Sequence, residues 1–187
     1  MGVGAIVATV ATALIAATAG ADAPRSARIL EGRSMAGVSL DANVRLTAAG
    51  DAVRSGVPAA WGRVRGGGCF EATNCSWDVA GGGTVAVILH ARNSRVQRVA
   101  TSAPGWRTAR GIGRDSTTAA LRRAYGRRLA RRTTCGLNGF GGLSTGFVLN
   151  SRHDGQRRFT FFEISPSNRR VGRVWIGRGR VPAGTVC

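Results

Sequence analysis

The sequence predicts an α+β fold of two tandem units, each a short helix packed on a small antiparallel sheet and held by disulfides. Three observations carry this. First, "NSRVQRV" at 93–99 and "NRRVGRV" at 168–174 agree at five of seven places, 75 residues apart. Second, each copy follows a strand-like run and a polar turn, so both read as the far arm of a β-hairpin. Third, each is preceded at some distance by a helix-like segment closed by glycine.

The elements follow in order. Residues 1–21, "MGVGAIVATVATALIAATAGA", carry no charge and end in small residues, the composition of a secretory leader cleaved before Asp22. No Lys or Arg precedes the apolar run, which departs from the usual pattern. A retained anchor is the rival reading, since roughly 20 apolar residues can span a bilayer. The preferred reading leaves no membrane span once the leader is removed. Residues 22–36 read as a linker. Residues 37–105 form the first unit, with a helix interrupted by Gly50 in "RLTAAGDAVRSGVP" (45–58). Its hairpin pairs "TVAVILHA" with "RVQRVATS" across "RNS".

Residues 106–187 form the second unit. In "RDSTTAALRRAYG", Asp115 or Ser116 can cap the helix start and Gly126 can end it. Leu121, Ala124, Tyr125 and Leu129 recur at helical spacing and give one apolar face. The second hairpin pairs "RFTFFEI" with "RVGRVWIG" across "SPSN". Valine alternates with polar residues in both closing strands, which buries one face and turns the arginines outward.

"ARGIGRDSTTAALRRAYG" at 109–126 resembles the helix opening of small exported α/β modules. A tandem pair of such modules is similar to the secreted β-lactamase inhibitory protein, and a single one to the small lipoprotein of the outer-membrane assembly machine. The resemblance covers residues 37–187 in order and spacing, and implies helices packed on antiparallel sheets. Arg114 or Asp115 stands where a further glycine is usual, and "DANVRLTAAG" (41–50) is a degenerate first version. No functional residue carries over from it.

After leader removal about 166 residues remain, enough for one ordinary domain or two small ones. They hold four cysteines, Cys69, Cys75, Cys135 and Cys187. An even count in an exported chain reads as two disulfides, with three possible connectivities. Cys69–Cys75 is the natural local pair, leaving Cys135 for Cys187. The five-residue gap in "CFEATNC" does not suit zinc, and neither a metal nor another cofactor is expected.

The chain has 27 arginines, no lysine and 9 acids, a net charge of +18. Such a charge attracts polyanions by counterion release. The densest stretch runs from Asp115 to Asp154 without an acid. It contains Arg122, Arg123, Arg127, Arg128, Arg131, Arg132 and Arg152, read as a basic helix with an arginine-rich tail. Aromatic residues are almost absent from this stretch, so sequence-specific nucleic-acid reading is not expected. Trp175 alternates with Val174 and Ile176. It therefore lies either on an exposed Trp/Arg sheet face fit for a protein partner, or in a second core layer beneath a loop.

Catalytic candidates are weak, and no catalytic residue is assigned. "GLSTG" (142–146) fits G-x-S-x-G, but a glycine-rich loop precedes Ser144 and a strand follows it, not a helix. "GIGRDS" has no strand running into it, and Asp154-Gly155 reads as a hairpin turn rather than as half of a His153–Asp154 pair. The expected function is non-enzymatic binding at or outside the cell surface, to another extracellular or wall-associated protein through a sheet face. The alternative is a basic module for wall polymer, anionic lipid or nucleic acid, and a serine hydrolase using Ser144 is a distant third.

Overall fold

Burial with a period of two runs through most of the chain, and the strands it marks assemble into one large sheet. A computed structural model describes residues 28–35, 37–42, 66–70, 73–79, 81–93, 95–135, 137 and 142–182. The expected leader (1–21), the expected first helix (45–58), Asp22 and Cys187 lie outside these. The strands are β1 (Arg28–Leu30), β2 (Ser34–Met35), β3 (Val38–Ser39), β4 (Gly66–Phe70), β5 (Asn74–Asp78), β6 (Thr84–Leu89), β7 (Val96–Thr101) and β8 (Arg107–Thr108). After the helix α1 (Thr118–Tyr125) come β9 (Leu129–Cys135), β10 (Leu143–His153), β11 (Gln156–Ile164) and β12 (Val171–Arg178).

Eight strands form an antiparallel sheet in the order β4-β5-β6-β7-β12-β11-β10-β9. Two meanders thus meet through their last strands, β7 and β12. A second sheet, β3-β2-β1-β8, lies on one side. Residues 28–35, expected to be linker, are structured and supply β1 and β2.

This corrects the expected fold class. The described chain is mostly strand, with one α-helix, and its strands do not divide into two separate helix-on-sheet units. The reason is visible in the central strands. Val99, Ala100 and Thr101 of β7 and Val174 to Gly177 of β12 are buried in succession. Consecutive burial means both faces are covered, the signature of interior strands rather than edges. The pairs Thr101–Val174, Ala100–Trp175, Val99–Ile176 and Arg98–Gly177 join the meanders into one sheet.

The two hairpins match more closely than the letters do. In each, a bulge falls at the end of the first strand, at Ile88/Leu89 and Glu163/Ile164, with the same pairs beyond it: Leu89–Val96 and Ile164–Val171. Asn93 Oδ1 accepts from the Arg95 amide at 3.2 Å, and Asn168 Oδ1 from the Arg170 amide at 3.0 Å. These Asx turns explain the matched asparagines. The 75-residue offset also relates Ala100 to Trp175, which pair with each other, so a local pseudo-dyad passes through a small residue facing a large one.

The inner face of the sheet carries Val85, Val87, Val99, Phe162, Val174 and Ile176. Leu121 and Tyr125 of α1, Trp106, Ile112, Ile29 and Met35 cover it. The outer face carries a smaller cluster of Ala100, Val148, Phe159, Phe161 and Trp175 under Leu137. Helix α1 begins at an N-cap Thr117, whose hydroxyl accepts from the Ala120 amide at 3.1 Å, not at Asp115 or Ser116. It ends at Gly126, as expected. Leu129 is not on the helix. After a 3₁₀ turn (Gly126–Arg128) the chain enters β9, where Thr133 and Thr134 favour strand and pair with β10. The basic helix with its tail is therefore a two-turn helix, a turn and an edge strand. Among the described residues no helix is long and apolar enough to cross a membrane.

Candidate functional site

Two arginine pairs stand side by side on opposite faces of the sheet, and the contrast between them defines the site. Asp154-Gly155 makes a two-residue turn with φ of 50° and 73°, so Arg152 of β10 falls directly opposite Arg157 of β11. Like charges directly opposite on one face are destabilising. One residue further on, Arg158 of β11 is opposite Arg178 of β12. That second pair is bridged: Arg158 Nη2 donates to Asp41 Oδ2, and Arg178 Nε lies 2.9 Å from Asp41 Oδ1. Burial pushes the Asp41 carboxyl up. The hydrogen bond from Arg158 and the charges of Arg158, Arg178 and Arg95 outweigh burial and hold it below its ordinary value.

Among the described residues no carboxylate bridges Arg152 and Arg157. They line a half-open cleft of about 630 Å³ together with Arg132 of β9, Arg180 after β12, Asn150 and the apolar side chains of Val148 and Val181; Ser151, Arg158 and Gly179 complete the lining. Strand alternation places Arg132, Val148, Asn150, Arg152 and Arg157 on the outer face, with the buried Val148 packed on Phe159 and Phe161. Arg132 pairs with Gly146, six residues from Arg152 along β10. At ~3.3 Å per residue the cationic row is about 20 Å long. A guanidinium presents a planar fork of donors that grips oxyanions in a bidentate manner. None of the lining residues is an acid, histidine or cysteine. Such an arrangement can make charge-assisted hydrogen bonds to oxyanions.

The basic run foreseen in the sequence is divided. Arg122 and Arg123 sit on α1 and Arg127 and Arg128 on the 3₁₀ turn, all exposed on the inner-face side, where Arg122 lies 5.5 Å from the Phe147 ring centre. Arg131 also falls on that side, by alternation with Arg132. Only Arg132 and Arg152 of the run reach the cleft. Arg157, Arg158 and Arg180 were missed. The signal for Arg157 was present, because a two-residue turn at Asp154-Gly155 forces the Arg152–Arg157 pairing; Arg180 arrives through tertiary packing.

Trp175 is 1% exposed. Its Nε1 donates to Glu163 Oε2 at 2.9 Å, Arg173 lies 5.6 Å from its ring centre, and Leu137 packs in the same cluster. It belongs to a second core layer beneath a loop, the other of its two expected places. Ser144 donates to Glu163 Oε1 at 3.1 Å. His153 is nine residues away on the same strand, about 30 Å at ~3.3 Å per residue, so these two cannot form a nucleophile–base pair. Cys69 and Cys75 are joined across β4 and β5, and Cys135 is disulfide-bonded. Comparison with family models, with curated proteins and with solved structures finds no match for this chain.

Proposed function

We propose that this is an exported, non-enzymatic binding protein that holds an anionic polymer along the outer-face cleft. The observation that carries the reading is the cross-strand pair Arg152–Arg157, left without a bridging acid among the described residues and continued by Arg132 and Arg180. A fold that neutralises one such pair with Asp41 and leaves its neighbour open keeps a cost of like-charge repulsion that a polyanion would relieve. The apolar strip of Val148 and Val181 lowers the local dielectric and strengthens each contact. An extended chain of phosphate or carboxylate groups suits a row about 20 Å long better than a single small anion does. The rival reading, a protein partner held on a tryptophan-bearing sheet face, loses its anchor because Trp175 is enclosed.

The test is a titration of the chain from Asp22 onward with fluorescently labelled linear polyphosphate over a range of salt. Four phosphate contacts give a slope of log K against log salt of about −3. Removing two charge-assisted contacts in R152A/R157A is expected to weaken binding about 100-fold. Unchanged affinity in that variant, with loss instead in R122A/R123A/R127A/R128A, would overturn the assignment of the cleft.

A further inference from the structure

The inner-face arginine carries a second feature. Arg158 is 3% exposed, yet among the described residues only its Nη2 finds an acceptor, the Asp41 carboxylate. Its Nε and Nη1 are buried and unpartnered, and so is the hydroxyl of Thr160, two residues along β11 on the same face. Buried donors without acceptors cost about 1–3 kcal/mol each, more when charged, and native proteins rarely leave them so. Charge points the same way: Arg158 and Arg178 share one carboxylate, which leaves an excess of one positive charge beside a buried site.

We propose that the protein binds one small monovalent anion, a halide or a simple carboxylate, between the β1–β3 sheet and the inner face, on Nε or Nη1 of Arg158. Water would satisfy the donors but not the surplus charge. Access exists: Arg158 and Asp41 line a pocket of about 440 Å³ that also presents Arg33, Ser34, Ser39 and, at an exposed edge, Asp154 beside His153. The turn between β1 and β2 closes down on this place. Gly32 has φ +67°, and a Cβ there would come within 3.0 Å of Arg158 Cβ and overlap Ser151 Oγ. The anion would thus tie the small sheet to the large one. Arg158 also borders the outer-face cleft, whereas Asp41, Arg33, Ser34 and Ser39 line only the anion's pocket.

The test uses the whole chain from Asp22. Crystals soaked in bromide should show an anomalous peak within hydrogen-bond distance of Arg158 Nε or Nη1. In solution, at constant ionic strength balanced with a bulky sulfonate, chloride and acetate are added separately. A saturable rise in Tm of about 5 °C or more at a hundredfold excess over the dissociation constant is expected for the anion that fits. The two arms separate a halide from a carboxylate. T160V should fold and weaken the response, and R158M should abolish it. A water or a protein side chain at the peak position, with Tm rising equally for every salt, would overturn the proposal.

Discussion

Replacing Asp41 with alanine tests the electrostatic design at its hinge. Asp41 accepts from one fully buried guanidinium and pairs with a second that is 30% exposed. Its own backbone is also docked, its amide donating to the Val96 carbonyl at 3.1 Å. Breaking a buried ion pair by removing one partner costs about 3–5 kcal/mol, because an uncompensated charge stays behind. Asp41 is 32% exposed and water reaches Arg178, so the lower end applies, about 3 kcal/mol. In a chain of this size that is a fall in Tm of about 6–12 °C. Chemical denaturation of wild type, D41A, R158M and D41A/R158M gives the coupling. The double variant should be more stable than D41A, since both charges leave together. The pH dependence has a defined sign. The folded-state pKa of Asp41 lies below its ordinary 3.8, so the unfolded chain takes the proton first as pH falls. The contribution is complete above that value and drains away as pH drops through the folded pKa; D41A should lack this component. A D41A stability within 0.5 kcal/mol of wild type, or an unchanged acid profile, would refute the reasoning.

Three further outcomes follow from packing. Tyr125 donates to Glu31 Oε1 at 2.6 Å and lies 2.9 Å from Thr108 Oγ1, joining α1 to the β1–β2 turn and to β8. Y125F should cost about 1–3 kcal/mol in denaturant unfolding, because it takes a buried donor away from the Glu31 carboxylate. W175A should cost about 3–5 kcal/mol, yet hold polyphosphate as tightly as wild type while folded, since the ring is core and not contact. Gly177 lies under the Phe159 ring, where a Cβ would overlap it, so G177A should lose about 1–3 kcal/mol by overpacking.

Much of the strand framework was legible, because alternation and turn chemistry are local. The hairpins at 84–101 and 156–178, the Asp154-Gly155 turn, the Gly126 stop and the Cys69–Cys75 pair all follow from short-range rules. The merging of two meanders was not, although "VATS" and "VWIG" hinted at it by burying both faces. Helical periodicity misled at Leu129, where tertiary pairing of β9 with β10 overrides a pattern three and four residues apart. The arginine run was visible as composition, but its division between two faces depends on where α1 ends and β9 begins. The cleft takes Arg132, Arg152, Arg157 and Arg180 from four places in the chain, and only the Arg152–Arg157 pairing is written in a local motif.

The most direct test of the central claim is to follow the arginine Nε–H resonances of the labelled protein as linear polyphosphate is added. The account predicts that Arg132, Arg152, Arg157 and Arg180 shift together and saturate, while Arg122, Arg123, Arg127 and Arg128 stay near their free positions. Shifts concentrated on the helix-side arginines, or spread evenly over all of them, would contradict it.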